Sequence, residues 1–328
     1  MHNPGIGAPG ETAIRQTQDS RSRVVVSFGF ESVHHMNSAD EGTLKLVAEH
    51  VSRGECILFL GAGVHYPPPR GSRYQYPASK RPPLGGTLSV LLARKSNFRA
   101  QFKKDLDANL QRVSLYYETA FSRSQLVQEV KNAVFTGKAP SPALRGLAAL
   151  NFPLIITTNY DQLLERSLEA VGKHPRVSVY SPAEYVRTRD YKDVARDRPF
   201  LFKIHGDIDR PDSLVITDED YIQFILRMSD KDPFHPVPET LLYYFKKWPT
   251  LFVGYSLLDY DLRVLFKTLR WRLDRADIPD AYSVDPYPDP LIVEVWSNQR
   301  KYIRFIAQDV WRFVPRLYQT VIGKAMPR

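Results

Sequence analysis

Apolar and polar positions follow two periods along this chain. From Glu41 the segment TLKLVAEHVSRG spaces its apolar residues at helical intervals and meets a stop at Gly54. CILFLGAG follows, a short apolar run bounded by glycines, which predicts a buried strand ending in a tight turn. Between Thr87 and Leu150 the helical period returns in LSVLLARK, LQRVSLYYETAF, SQLVQEVKNAVF and PALRGLAAL, broken from Gly137 to Pro142. This stretch predicts an inserted helical module over 87–150. PLIITTNYD then predicts a second strand, and DQLLERSLEAVG an amphipathic helix ending at Gly172. RVSVY, FLFKIHGD and TLFVGYS predict three further strands, the last leading into DYDLRVLFKTLRWRLD, a long amphipathic helix capped by Asp259 or Asp261. PLIVEVW predicts another strand, and the remainder is helical in pattern. Apolar strands alternating with amphipathic helices predict an α/β fold, a parallel sheet covered by helices on both faces.

Two stretches fall outside this alternation. Residues 1–40 are rich in Gly, Pro, Ser, Thr and charge, interrupted only by VVVSFGF, and predict a partly disordered tail ahead of a domain over 41–328. His65 to Gly86 holds six prolines and several basic residues, and a long irregular loop of this kind inside a domain is usually functional.

Composition adds limits. The 328 residues, 43% hydrophobic and 25% charged, are enough for a sizeable core and exclude a disulfide-stapled miniprotein. The lone Cys56 permits no internal disulfide and no Cys-x-x-Cys metal pair, so the expected location is cytoplasmic. The N-terminus has no apolar signal core, and the longest apolar run falls far short of the roughly 20 residues that span a bilayer. Neither secretion nor a membrane span is expected. The net charge of +9 favours a polyanionic partner, but basic residues are spread without long runs, which fits direct nucleic-acid binding and a solvated basic surface alike.

In a doubly wound sheet, ligands bind at the carboxyl ends of the strands. The residues there are polar and specific: Gly61-Ala62-Gly63, then Thr157-Thr158-Asn159-Tyr160-Asp161, then His205-Gly206-Asp207, then Gly254-Tyr255-Ser256. Each has a bland reading as well: a tight turn, helix caps at Asn159, Asp161, Ser256 and Asp259, and a satisfied core histidine at His205. The dehydrogenase fingerprint is absent, since its third glycine would fall at Tyr66. There is also no GxxxxGK[ST] loop, no HExxH and no GxSxG elbow, and no metal site is expected.

Taken together, GAGV (Gly61–Val64), TTNYD (Thr157–Asp161), KIHGD (Lys203–Asp207) and GYSLLDYDLR (Gly254–Arg263) resemble, in order, the signature segments of the sirtuin superfamily. The resemblance runs over residues 41–328 and is greatest to the bacterial sirtuin-like branch of anti-phage defence. It implies a Rossmann-like sheet and a chemistry on NAD, with no metal. Two departures separate the chain from protein-deacetylating sirtuins. Residues 207–250 hold no cysteine for the four-cysteine zinc module, and GAG is followed by VHYPPPRGSRYQYP in place of the deacetylase segment.

The resemblance assigns catalysis to His205, Asn159 and Asp161, and NAD contacts to Gly61, Ala62, Gly63, Val64, Thr158, Gly254 and Ser256. The chemistry agrees. Cleaving the nicotinamide–ribose bond requires stabilising an oxocarbenium-like sugar and guiding a water to its opposite face. A neutral histidine can accept the water's proton and a carboxamide can hold the water without adding charge. Arg70, Arg73 and Arg81 are candidates to neutralise phosphate or are solvated loop cations. The expected activity is NAD hydrolysis to nicotinamide and ADP-ribose, depleting NAD in infected cells. Such an activity implies restraint, through homo-oligomer assembly or a partner such as a hexameric DNA translocase or a short Argonaute. An NAD-dependent protein deacylase and a non-catalytic NAD- or ADP-ribose-sensing scaffold are the alternatives.

Overall fold

Isoleucine, leucine and phenylalanine fill four-residue strands that are wholly buried, and these strands form the centre of a seven-stranded parallel sheet. The structure, a computed structural model, describes residues 38–102, 104–182, 195–227, 237, 239–255, 257, 279–297 and 303–328. The strands are β1 (Ile57–Leu60), β2 (Leu154–Thr157), β3 (Arg176–Val179), β4 (Phe200–Lys203), β5 (Thr250–Val253), β6 (Ala281–Val284) and β7 (Ile303–Ile306). Their order is β3-β4-β2-β1-β5-β6-β7, and each neighbouring pair is parallel.

Successive strand residues point to opposite faces. Leu58 and Leu60 pack on one side with Ile155, Leu201, Leu251 and Val253, under helices α1 (Ser38–Arg53), α5 (Pro142–Ala149), α6 (Leu163–Ala170) and the C-terminal helix Val310–Ile322. Ile57 and Phe59 face the other side with Ile156, Phe202 and Phe252, against α7 (Asp218–Arg227), α8 (Glu239–Lys247) and helix Pro290–Ser297. This is the expected sheet with helices on both faces. Three further helices, α2 (Gly85–Lys95), α3 (Leu110–Ala120) and α4 (Arg123–Val134), build a separate apolar cluster from Leu88, Leu92, Val113, Leu126 and Val130. α3 and α4 begin on Asn109 and Ser122, whose side chains accept the amides of Arg112 and Gln125 as N-caps. PALRGLAAL, grouped with this module by its pattern, forms α5 in the layer beside α1.

The C-terminal part departs from expectation. PLIVEVW is a helix, because Asp289 accepts the amide of Ile292 at 3.0 Å as its cap and Pro290 takes the first helical position, where no amide is needed. Ile292 and Trp296, four apart, bury one stripe, while Leu291 and Val295 stay exposed. The strands of this region are instead AYSV and IRFI, the second lying where the pattern was helical. The tail 1–37, VVVSFGF, the helix expected at DYDLRVLFKTLRWRLD with Asp259 and Asp261, and Ser256 lie outside the described residues. No described helix is long and apolar enough to cross a membrane.

Candidate active site

The ends of β1, β2, β4 and β5 open into one cleft of about 460 Å³, within the range of small-molecule sites. The helical module closes it from the side with Leu84, Gly85, Gly86, Leu110 and Val134. Of the residues expected to act on a ligand, Ala62, Gly63, Thr158, Asn159, Asp161, His205 and Gly254 line this cleft together. Gly61 and Val64 do not line it. Val64 is fully buried in the core, and Gly61 sits behind the wall.

The glycine turn has a structural job. A Cβ on Gly63 would lie 2.8 Å from the Gly254 carbonyl oxygen, and one on Gly254, whose φ is +75°, would lie 2.4 Å from the Val64 nitrogen. The loops after β1 and β5 therefore touch backbone to backbone, an approach that only glycine allows. The Gly61 amide donates to Val253 (3.0 Å), the Gly63 amide to Gly254 (2.9 Å) and the Val64 amide to Gly61 (3.2 Å). These N–H groups are spent within the chain, so the NAD contacts expected at Gly61 and Gly63 cannot come from their amides. The Ala62 amide has no acceptor among the described residues. Neither does the first turn of α2, which begins at the cleft after Leu84 with no side-chain cap. Such a helix start presents free N–H groups and the positive end of its dipole.

His205 follows β4 and is 8% exposed. The rings of Tyr221 and Phe224 from α7 meet it edge-on, and the Tyr221 hydroxyl lies 3.4 Å from Nδ1. Burial pushes its pKa down to about 3, so the imidazole is neutral at neutral pH. Gly206, at φ +89°, turns the chain where a Cβ would strike the Ser213 carbonyl at 2.2 Å, and the Val215 amide bonds the His205 carbonyl at 3.0 Å.

The TTNYD loop is anchored from below. Lys203, fully buried, donates to the carbonyls of Asp161 (2.6 Å) and Tyr160 (3.3 Å) and pairs with Glu165 (3.0 Å) and Asp207 (2.6 Å). Burial alone would lower its pKa, but the two carboxylates hold it above its usual value. Asp161 accepts the Leu163 amide at 2.9 Å in the turn that leads into α6, whose N-cap position is Gln162 with no side-chain cap, and the second Asp161 oxygen is unpartnered among the described residues. Asn159 caps nothing, and its carboxamide is free of described partners on the cleft wall. Thr158 accepts a hydrogen bond from the Tyr255 hydroxyl.

His65 and Tyr221 are the site residues that the sequence pattern did not single out, while Lys203 and Tyr255 lay within its motifs without an assigned role. Arg70, Arg73 and Arg81 do not line the cleft. Arg81 holds the Tyr76 carbonyl (Nε at 2.7 Å) and Arg73 reaches the Met326 carbonyl (3.3 Å). Cys56 is buried, which raises its pKa and leaves it inert. Among the described residues no cluster of three or more His, Cys, Asp or Glu could hold a metal.

The carboxyl edge of the doubly wound parallel sheet brings Gly-Ala-Gly, Asn-x-Asp and His-Gly together, and residues 153–306 match the family described as SIR2-like domain. Among curated proteins the chain is 28% identical over 242 residues to NAD(+) hydrolase ThsA of Enterococcus faecium, covering 72% of this chain and 44% of that protein. It is 29% identical over 171 residues to NAD(+) hydrolase ThsA of Bacillus cereus, covering 51% and 33%. It is 24% identical over 256 residues to Defense-associated sirtuin 2 of Bacillus subtilis, covering 76% and 22%. The chain thus spans less than half the length of these relatives.

Proposed function

We propose that this chain hydrolyses NAD(+) to nicotinamide and ADP-ribose. The observation that carries the reading is the convergence of a neutral, buried His205 with the unpartnered carboxamide of Asn159 in one cleft. Its similarity to proteins named NAD(+) hydrolase supports it. In the reaction, water attacks the anomeric carbon of the nicotinamide ribose as the carbon–nitrogen bond breaks. Nicotinamide leaves with that electron pair as a neutral molecule, and the water's proton passes through His205 to solvent. For Nε2 to accept the proton, Nδ1 must carry the ring hydrogen and donate it to Tyr221. Asn159 holds the water or the ribose, and Asp161 faces the nicotinamide side. The Ala62 amide and the open first turn of α2 provide N–H groups for the pyrophosphate. Gly254 and Thr158 shape the wall, and Ser256 is assigned to the adenosine ribose.

The biological reading follows from similarity to a defence-associated sirtuin: NAD depletion during phage infection, in the cytoplasm. Restraint by homo-oligomer assembly or a partner protein, for instance a DNA translocase or a short Argonaute, belongs to the same proposal.

Incubating the purified chain with NAD(+) and resolving products by mass tests the reading, alongside Asn159→Ala and His205→Ala. Nicotinamide and ADP-ribose from the parent, and a loss of two or more orders of magnitude in either variant, is the expected result. Binding of ADP-ribose without turnover, alone and with neighbouring gene products, would replace it by a sensor.

A further inference from the structure

His65 lies immediately after the glycine turn, 2% exposed, on the wall of the same cleft. Its Nδ1 stands 2.9 Å from the Tyr76 hydroxyl, which itself stands 2.9 Å from the Ala139 carbonyl oxygen. A carbonyl only accepts, so Tyr76 gives its single hydrogen to Ala139, and the hydrogen shared with His65 belongs to Nδ1. The lone pair of a neutral ring then sits on Nε2. That atom is buried and has no hydrogen-bond partner among the described residues. Burial lowers the pKa of His65, against the opposing attraction of Asp161, so the lone pair stays available at neutral pH. Leaving a buried acceptor unpaired is unfavourable, and a donor brought by a ligand would recover that loss.

Asp161 supplies a second acceptor. Its Oδ1 is occupied by the Leu163 amide, and its other oxygen is unpartnered among the described residues. Two acceptors on one wall match a nitrogen that carries two hydrogens, whereas a ribose hydroxyl has one. NAD(+) carries such a group at each end, the nicotinamide carboxamide and the adenine amine. Asn159, two residues from Asp161, and His205, both assigned to the reacting ribose, line the same cleft. The group that belongs there is the carboxamide.

We propose that His65 Nε2 accepts a hydrogen bond from the nicotinamide carboxamide, making His65 a specificity-determining residue for the leaving group. This rests on the NAD(+) reading above. The test compares NAD(+) with 3-acetylpyridine adenine dinucleotide, in which a methyl ketone replaces the amide and removes both N–H donors. Affinities are measured by calorimetry in a His205→Ala background, so that ligand is not consumed, with and without His65→Asn. Asparagine can still donate to Tyr76 but has no atom at the Nε2 position. ADP-ribose, which lacks the nicotinamide, is titrated into the chain with native His205 and into every variant.

The expected result is a preference for NAD(+) that falls by about tenfold on His65→Asn, the equivalent of about 1.4 kcal/mol, with ADP-ribose affinity unchanged. A preference that His65→Asn leaves intact, or that was never present, overturns the inference alone. Equal loss of ADP-ribose binding in the His65→Asn variant would make His65 a structural residue and overturn it as well. If the chain with native His205 binds no ADP-ribose, the NAD(+) reading itself fails, and the inference falls with it.

Discussion

Lys203 and His205 stand two residues apart at the end of β4, and burial acts on them with opposite results. Lys203 keeps its charge because Glu165 and Asp207 surround it, while His205, with the ring edges of Tyr221 and Phe224 beside it, loses its charge. Lys203→Met would leave two carboxylates buried without a counter-ion. A loss of about 3–5 kcal/mol in urea unfolding is expected, together with a loosened Asn159–Asp161 loop. His205 makes stability depend on pH. In the unfolded chain its pKa returns to about 6.5, so between there and about 3 the unfolded state binds the extra proton. Stability is therefore full above pH 6.5 and falls on acidification. His205→Gln should remove up to about 1.4 kcal/mol per pH unit from that slope, read from unfolding midpoints between pH 7 and 4. At this scale the sequence exposed His205, Asn159 and Asp161, which sit at strand ends where chemistry is expected. It concealed His65, a lone histidine in a proline-rich loop, because only the Tyr76–Ala139 chain of hydrogen bonds fixes which of its nitrogens is bare.

The placement of Tyr221 against His205 depends on α7, and α7 starts on a reciprocal cap. The Asp220 amide donates to the Thr217 hydroxyl at 3.1 Å, and the Asp220 carboxylate accepts the Thr217 amide at 2.9 Å. Arg123, at the start of α4, grips the same carboxylate at 2.8 Å and the Leu214 carbonyl at 2.7 Å. The helical module is tied in this way to the helix that walls in His205. Arg123→Ala should cost about 1–2 kcal/mol and lower turnover several-fold with little change in ADP-ribose affinity, since nothing in the cleft is removed. Element types were legible where the apolar period was long or continuous, as in β1, β2, β4 and β5. They were not legible in PLIVEVW, where four to seven apolar residues satisfy helix and strand alike and Asp289 with Pro290 decides for the helix. AYSV offered too short a run to be noticed, with a buried serine at Ser283.

Across the whole molecule, the sheet order places β1 at the centre, with later strands added first to one side through β2, β4 and β3 and then to the other through β5, β6 and β7. The chain reverses direction of growth between β1 and β5, which is where α/β sheets open a crevice, and the Gly63–Gly254 contact lies at that point. This much of the site followed from the order of motifs alone. The role of the net positive charge did not, because no lysine or arginine among the described residues lines the cleft.

The cleft draws on residues from Ala62 to Tyr255, with the glycine loops of β1 and β5 touching directly. A ribosome must therefore deliver β5 and the glycine loop after it before the two loops can meet. No nascent fragment ending before Gly254 contains the complete cleft. For a protein whose proposed activity would poison the cell making it, synthesis itself withholds the activity until β5 has joined the sheet.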